Sequence, residues 1–206
     1  GEEIRQKEKL ESGSANCYNV MIAKDEERGK NMENRGYPAG DAGAAAQERA
    51  VQEFYMDQVR GCLTEEIGAP SFFVTTIGCQ MNARDSEKLE GMLEHMGFVK
   101  AAQEGQADLV LYNTCTVREN ANLKVYGRLG VLKKQKERNP RMVIGLCGCM
   151  MQEAEEVETL SRKYPFIDLI FGTHNIYKFP QLLFSVLERR RQGGKHRTYI
   201  DDWEKP

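Results

Sequence analysis

The sequence predicts an α/β fold: an open, mainly parallel sheet with helices on both faces, preceded by a polar, partly helical N-terminal extension. Three observations carry this. Four short apolar runs between residues 71 and 191 are unbroken rather than alternating in polarity, as strands buried on both faces are. Each run is followed by a segment with apolar residues at helical spacing. The first third of the chain has almost no apolar run; residues 1–69 hold 9 basic and 14 acidic residues, whereas residues 70–206 hold 20 and 17.

Taken in order, residues 1–35 read as a largely disordered polar arm in which Tyr18–Ile22 is a short apolar patch. A turn-rich stretch, Arg35–Gly40, leads to a helix over 43–61, where Ala44, Val51, Phe54, Tyr55 and Val59 recur at roughly helical spacing. Phe72–Ile77 is the first strand, β-branched and aromatic. The helix over 84–96 has Leu89, Met92, Leu93 and Met96 on one face and ends at Gly97, with a brief strand at Phe98–Val99. Leu109–Tyr112 is the next strand. Thr116 opens a helix with a T-x-x-E capping box to Glu119, and Asn139–Pro140 stops it. A strand at Met142–Leu146 precedes a helix over 151–162. A strand at Phe166–Phe171 and a turn at Gly172–Asn175 precede a last helix over 176–191. The expected division is an extension over 1–70, a domain over 71–191 and a polar linker over 192–206.

The totals narrow the function classes. A net charge of −2 implies no strong field over the whole chain. No run of 18 apolar residues exists to span a membrane, and the N-terminal GEEIRQKEKL lacks the apolar stretch of a signal peptide. Six cysteines in 206 residues are too sparse for a secreted disulfide scaffold. A cytoplasmic protein is expected, in which cysteines at special positions read as metal ligands or catalytic groups. The chain does not start with Met, which suggests an excised piece.

Three cysteines do sit at special positions. Cys79 follows the strand ending at Ile77, Cys115 the one ending at Tyr112, and Cys149 the one ending at Leu146. Ligands of open parallel sheets bind outside the carboxyl ends of the strands, so three separate strand–helix units deliver a cysteine to one edge. The loops are rich in glycine and amides (Gly78, Gln80, Asn82, Asn113, Gly148), and helix N-termini favour thiolate over thiol. Soft thiolates select zinc, copper(I) or iron–sulfur clusters. Spacings of 36 and 34 residues, with no C-x2-C pair and no nearby histidine, weaken structural zinc. Three cysteines on an iron–sulfur cluster would leave one iron open. The bland alternative is three small buried hydrophobes at loop starts.

The residues also carry a resemblance. Thr76-Ile77-Gly78-Cys79-Gln80-Met81-Asn82, Asn113-Thr114-Cys115-Thr116-Val117-Arg118-Glu119 and Gly148-Cys149-Met150-Met151-Gln152 resemble, in order and spacing, the three motifs of the radical S-adenosylmethionine methylthiotransferases. Gln80-Met81 resembles the branch that acts on tRNA. The resemblance implies an auxiliary 4Fe–4S cluster on Cys79, Cys115 and Cys149, with Gln80, Asn82, Asn113 and Arg118 as candidates for its surroundings. It implies N6-isopentenyladenosine beside the tRNA anticodon as substrate, converted to its 2-methylthio derivative, with sulfur supplied from the cluster. A second 4Fe–4S cluster and S-adenosylmethionine would be needed, but the C-x3-C-x2-C motif that holds them is absent, as is an RNA-binding C-terminal domain. The chain therefore reads as an N-terminal domain that binds tRNA weakly or not at all and is inactive alone.

Bland readings stay beside these. Cys147 shares a C-x-C with Cys149 but reads as a buried hydrophobe, and Cys17 and Cys62 as incidental. The basic stretches Arg189–Arg191 and Lys133–Lys136 read as solvated helix ends. A flavodoxin- or Rossmann-like module binding a nucleotide at the same strand ends remains open, although no G-x-G-x-x-G or G-x4-G-K-[ST] loop appears. A structural metal-binding domain without catalysis also remains open.

Overall fold

A computed structural model describes residues 41–66, 69–116, 121–193 and 198–200. The capping box at Thr116–Glu119, the patch at Tyr18–Ile22 and Cys17 fall wholly or partly outside these residues. Two compact units are distinguished, Gly1–Ala50 and Val51–Pro206. Of the first, only the helical residues 41–50 are described.

Helix α1 runs Asp41–Glu66, longer than the 43–61 expected. A mid-helix glycine costs only about 1 kcal/mol, so Gly61 does not end it. Val59 and Leu63 continue a buried stripe on either side of that glycine. Within the second unit this helix packs on the rest. The Tyr55 ring lies against Phe184, Gln52 hydrogen-bonds Gln181, and the Arg60 guanidinium donates to the carbonyl of His95.

The sheet elements are β1 (Ser71–Ile77), β2 (Val99–Lys100), β3 (Leu109–Thr114), β4 (Val143–Gly148), β5 (Leu169–Phe171) and β6 (Tyr199–Ile200). Their order across the sheet is β2-β1-β3-β4-β5-β6, and every pair is parallel. The helices between them are α2 (Gln80–His95), α3 (Ala121–Arg138), α4 (Ala154–Lys163) and α5 (Phe179–Arg191). The expected α/β class, with its parallel sheet, is what the chain adopts.

Successive side chains point to opposite faces of a strand. Val110, Tyr112, Ile144, Leu146 and Ile170 form one core with Val125, Leu129 and Leu132 of α3 and Leu160 of α4. On the other face Asn113 reaches Ser86 of α2, and Phe171 stacks on Phe179 of α5. Helices thus cover both faces. β3 and β4 are buried along their whole lengths, which is why their sequences do not alternate.

Several expected boundaries move, each for a local reason. β3 and β4 continue two residues further than expected, because Asn113 pairs with Cys147 and Thr114 with Gly148. The expected helix over 151–162 is a 3-10 turn, Cys149–Gln152, followed by α4. The expected helix over 176–191 is likewise a 3-10 turn, Thr173–Lys178, before α5. Pro180 lies in the first turn of α5, where its missing N–H costs nothing; deeper inside a helix it would break the ladder. The strand expected from Phe166 begins at Leu169, because the Asp168 carboxylate takes the Ile144 N–H at 2.8 Å and turns the chain into the sheet. Within the polar linker expected over 192–206, β6 adds along β5 through Leu169–Tyr199 and Ile170–Ile200.

Candidate metal centre

β1, β3 and β4 are neighbours and end in one row: Ile77 pairs with Thr114, and Thr114 with Gly148. Cys115 and Cys149 are the next residues of their strands, and Cys79 lies two residues past Ile77. Adjacent strands lie about 4.8 Å apart, so the three cysteines leave the sheet across two strand spacings. β1 and β3 also flank the point where the strand order reverses, the usual ligand position in such sheets.

The three loops meet at a pair of buried amides. Asn82, in the first turn of α2, accepts the Cys79 N–H at Oδ1 (3.1 Å) and has the Cys79 thiol 3.3 Å from that oxygen. Its Nδ2 donates to Asn113 Oδ1 and to the Thr114 carbonyl, both at 3.0 Å. The Asn113 amide donates back to the Asn82 carbonyl (2.8 Å) and to Ser86 Oγ (3.1 Å). Ser86 is in turn 2.7 Å from Thr76 Oγ1. Cys149 Sγ lies 3.5 Å from the same Thr114 carbonyl and accepts the Thr116 N–H at 3.3 Å.

The sulfurs differ in setting. Cys79 is exposed and caps α2; the backbone N–H groups of Asn82 and Met81 hold its thiol below the ordinary range, with a smaller contribution from the Cys115 side chain. Cys115 is buried and Cys149 half-buried. Cys149 starts a 3-10 turn rather than a helix, so the helix N-terminus expected behind it is replaced by the single N–H of Thr116. Cys147 is fully buried, and burial, reinforced by nearby Asp85, pushes its thiol strongly up. It behaves as a core residue.

Of the expected surroundings, Asn82 and Asn113 stand at the centre. Gln80 opens α2 on the exposed side, and Arg118 lies outside the described residues. Among the described residues, no three His, Cys, Asp or Glu side chains are gathered to hold a single metal ion. The three thiols stand at adjacent strand ends, with backbone N–H groups directed at two of the sulfurs, and soft thiolates are the donor type that iron–sulfur clusters take.

Comparison with known proteins bears on this site. Residues 71–172 match the family described as Uncharacterized protein family UPF0004. Residues 71–172 carry this family's domain. The UPF0004 segment runs from the start of β1 to just past the end of β5, and so contains all three strand-end cysteines. Relatives of the chain carry a more specific name, tRNA-2-methylthio-N(6)-dimethylallyladenosine synthase. That of Clostridioides difficile is 61% identical over 132 residues, covering 64% of this chain and 26% of the relative. That of Clostridium tetani is 53% identical over 135 residues (66% and 28%), and that of Acetivibrio thermocellus 46% over 162 residues (77% and 32%). The chain therefore spans about a quarter to a third of the length of these relatives.

Proposed function

We propose that residues 71–191 are the sulfur-supplying domain of a tRNA methylthiotransferase and hold a 4Fe–4S cluster on Cys79, Cys115 and Cys149. The observation that carries this is the shared row of strand ends, Ile77–Thr114–Gly148, from which the three cysteines emerge. The names of the relatives support the substrate class. The whole protein converts N6-isopentenyladenosine next to the anticodon to its 2-methylthio derivative in the cytoplasm. A second cluster, S-adenosylmethionine and most of the tRNA contacts come from outside these residues.

A 4Fe–4S cluster held by Cys79, Cys115 and Cys149 would supply iron to which the transferred sulfur could bind. The chain's own residues do the rest. Backbone N–H groups of Met81 and Asn82 favour thiolate at Cys79, and the Thr116 N–H donates to the Cys149 sulfur. Cys79 and Met81, both exposed, leave the site accessible from solvent at the carboxyl edge of the sheet. Cys147, kept neutral by burial, stays out of the ligand set.

Anaerobic reconstitution with iron and sulfide tests this. About four irons per chain are expected, lost on Cys79→Ala, Cys115→Ala or Cys149→Ala and retained on Cys147→Ala. Stoichiometric zinc without iron uptake would overturn it.

A further inference from the structure

We infer that the Asn82–Asn113 amide pair is a clasp that spaces the three cysteine loops before any metal arrives; this rests on the cluster reading above. Asn82 Oδ1 can only accept from the Cys79 N–H, and Asn82 Nδ2 can only donate to the Thr114 carbonyl, so the orientation of its amide is fixed by its partners. Asn113 closes the ring by donating to the Asn82 carbonyl. Cys79, on the β1 side, is thereby tied to the β3 end, whose Thr114 carbonyl is also the contact of Cys149. All three ligand loops are connected through two side chains.

Two glycines show that this node is built into the backbone. A Cβ on Gly78 would fall 2.2 Å from Asn82 Oδ1. A Cβ on Gly148 would fall 2.5 Å from Asn113 Oδ1 and 2.2 Å from the Thr114 carbonyl. The β1 and β4 loops thus each lack a side chain where the amide pair lies. Both asparagines are buried, Asn113 completely, so the pair is not a surface decoration. Groups that orient metal ligands in this way are worth about 10–100-fold in metal affinity. Asn82 and Asn113 are positioning residues, acting through Cys79 and the Thr114 carbonyl.

The test uses the whole chain, reconstituted anaerobically, with Asn82→Ala, Asn82→Asp and Asn113→Ala. Asn82→Asp keeps the shape but turns an oxygen toward Asn113 Oδ1 and the Thr114 carbonyl, two acceptors. Each variant is expected to lose iron to a chelator about 10–100-fold faster than the parent, with an altered EPR spectrum of the reduced cluster. Asn82→Asp should also lower the reduction potential, since it adds negative charge beside the site. Asp168→Asn, at the opposite edge of the sheet, is the control: it loosens the fold and should leave iron release and EPR unchanged. Should Asn82→Ala fail to fold, the near-isosteric Asn82→Asp carries the same comparison. Release within about two-fold of the parent, well short of that range, with an unchanged spectrum overturns the clasp. So does an equal acceleration in the Asp168→Asn control. A parent chain that takes up no iron overturns the cluster reading itself, which separates the two failures.

Discussion

Gly148 is where single-residue chemistry decides most. Its φ of +103° lies in a region that side chains rarely adopt, and the site for a Cβ is filled by the Thr114 carbonyl. Gly148→Ala is expected to destabilise the chain by about 1–3 kcal/mol from backbone strain alone, with the overlap added, as read from the urea midpoint. The residue before it in the chain, Cys147, and the one after it, Cys149, have opposite fates for the same reason. The left-handed turn at Gly148 takes the chain out of the sheet, so Cys147 stays in the core and Cys149 leaves it. The cysteine positions were legible in the sequence because strand ends can be read from apolar runs. The Asn82–Asn113 pair could be suspected only from amide-rich loops. Its bonding depends on the register of β1 against β3, and no local pattern encodes that.

Elements are joined by two buried polar groups that the sequence reading passed over, since each draws on residues far apart in the chain. Asp168, 2% exposed, takes Lys136 of α3, Arg190 of α5 and the Ile144 N–H of β4. Lys136 and Arg190 belong to the basic stretches expected to be solvated helix ends, but Lys136 is only 11% exposed. Removing one partner of a buried ion pair costs about 3–5 kcal/mol, so Asp168→Ala should lower the urea midpoint far more than Lys133→Ala. The second group joins β3, the loop before it and α3: the Tyr112 hydroxyl donates to Glu104 and accepts from Arg128 Nε at 3.1 Å. Burial pushes the Tyr112 phenol up to about 12, with Glu104 adding to the rise and Arg128 opposing it. In the unfolded chain it ionises near 10. Its contribution to stability is therefore complete below pH 10 and falls as pH rises toward 12. Tyr112→Phe should flatten the fall of the urea midpoint across that window; an unchanged slope would reassign it to other groups. Element types were legible from period and polarity. The 3-10 turns after β4 and β5 were not, because apolar residues such as Met151 and Ile176 fit a helix or a tight turn equally well.

At the scale of the whole molecule, α1 sets where the sheet domain can be cut. Sequence composition drew the boundary at residue 70, at the change in texture before β1. The compact unit that contains the sheet runs from Val51 onward. Val59 is fully buried and Leu63 nearly so, while Tyr55 and Gln52 engage Phe184 and Gln181 of α5. Burying a Val or Leu side chain is worth about 1.5–3 kcal/mol, so those two alone contribute roughly 3–6 kcal/mol at that rate. That is a large share of the 5–15 kcal/mol typical of a whole domain. A chain beginning at residue 51 should keep nearly the full urea midpoint, and one beginning at residue 71 should lose most of it or aggregate through the bared face of α5. Described contacts of α1 reach α5 and the His95 end of α2, whereas Cys79 caps the other end of α2. Whatever fraction of the shorter chain folds should therefore take up iron like the parent. Equal stability of the two truncated chains would mean that α1 contributes nothing to the unit. Iron uptake lost per folded molecule would tie α1 to the cysteine edge, against the geometry.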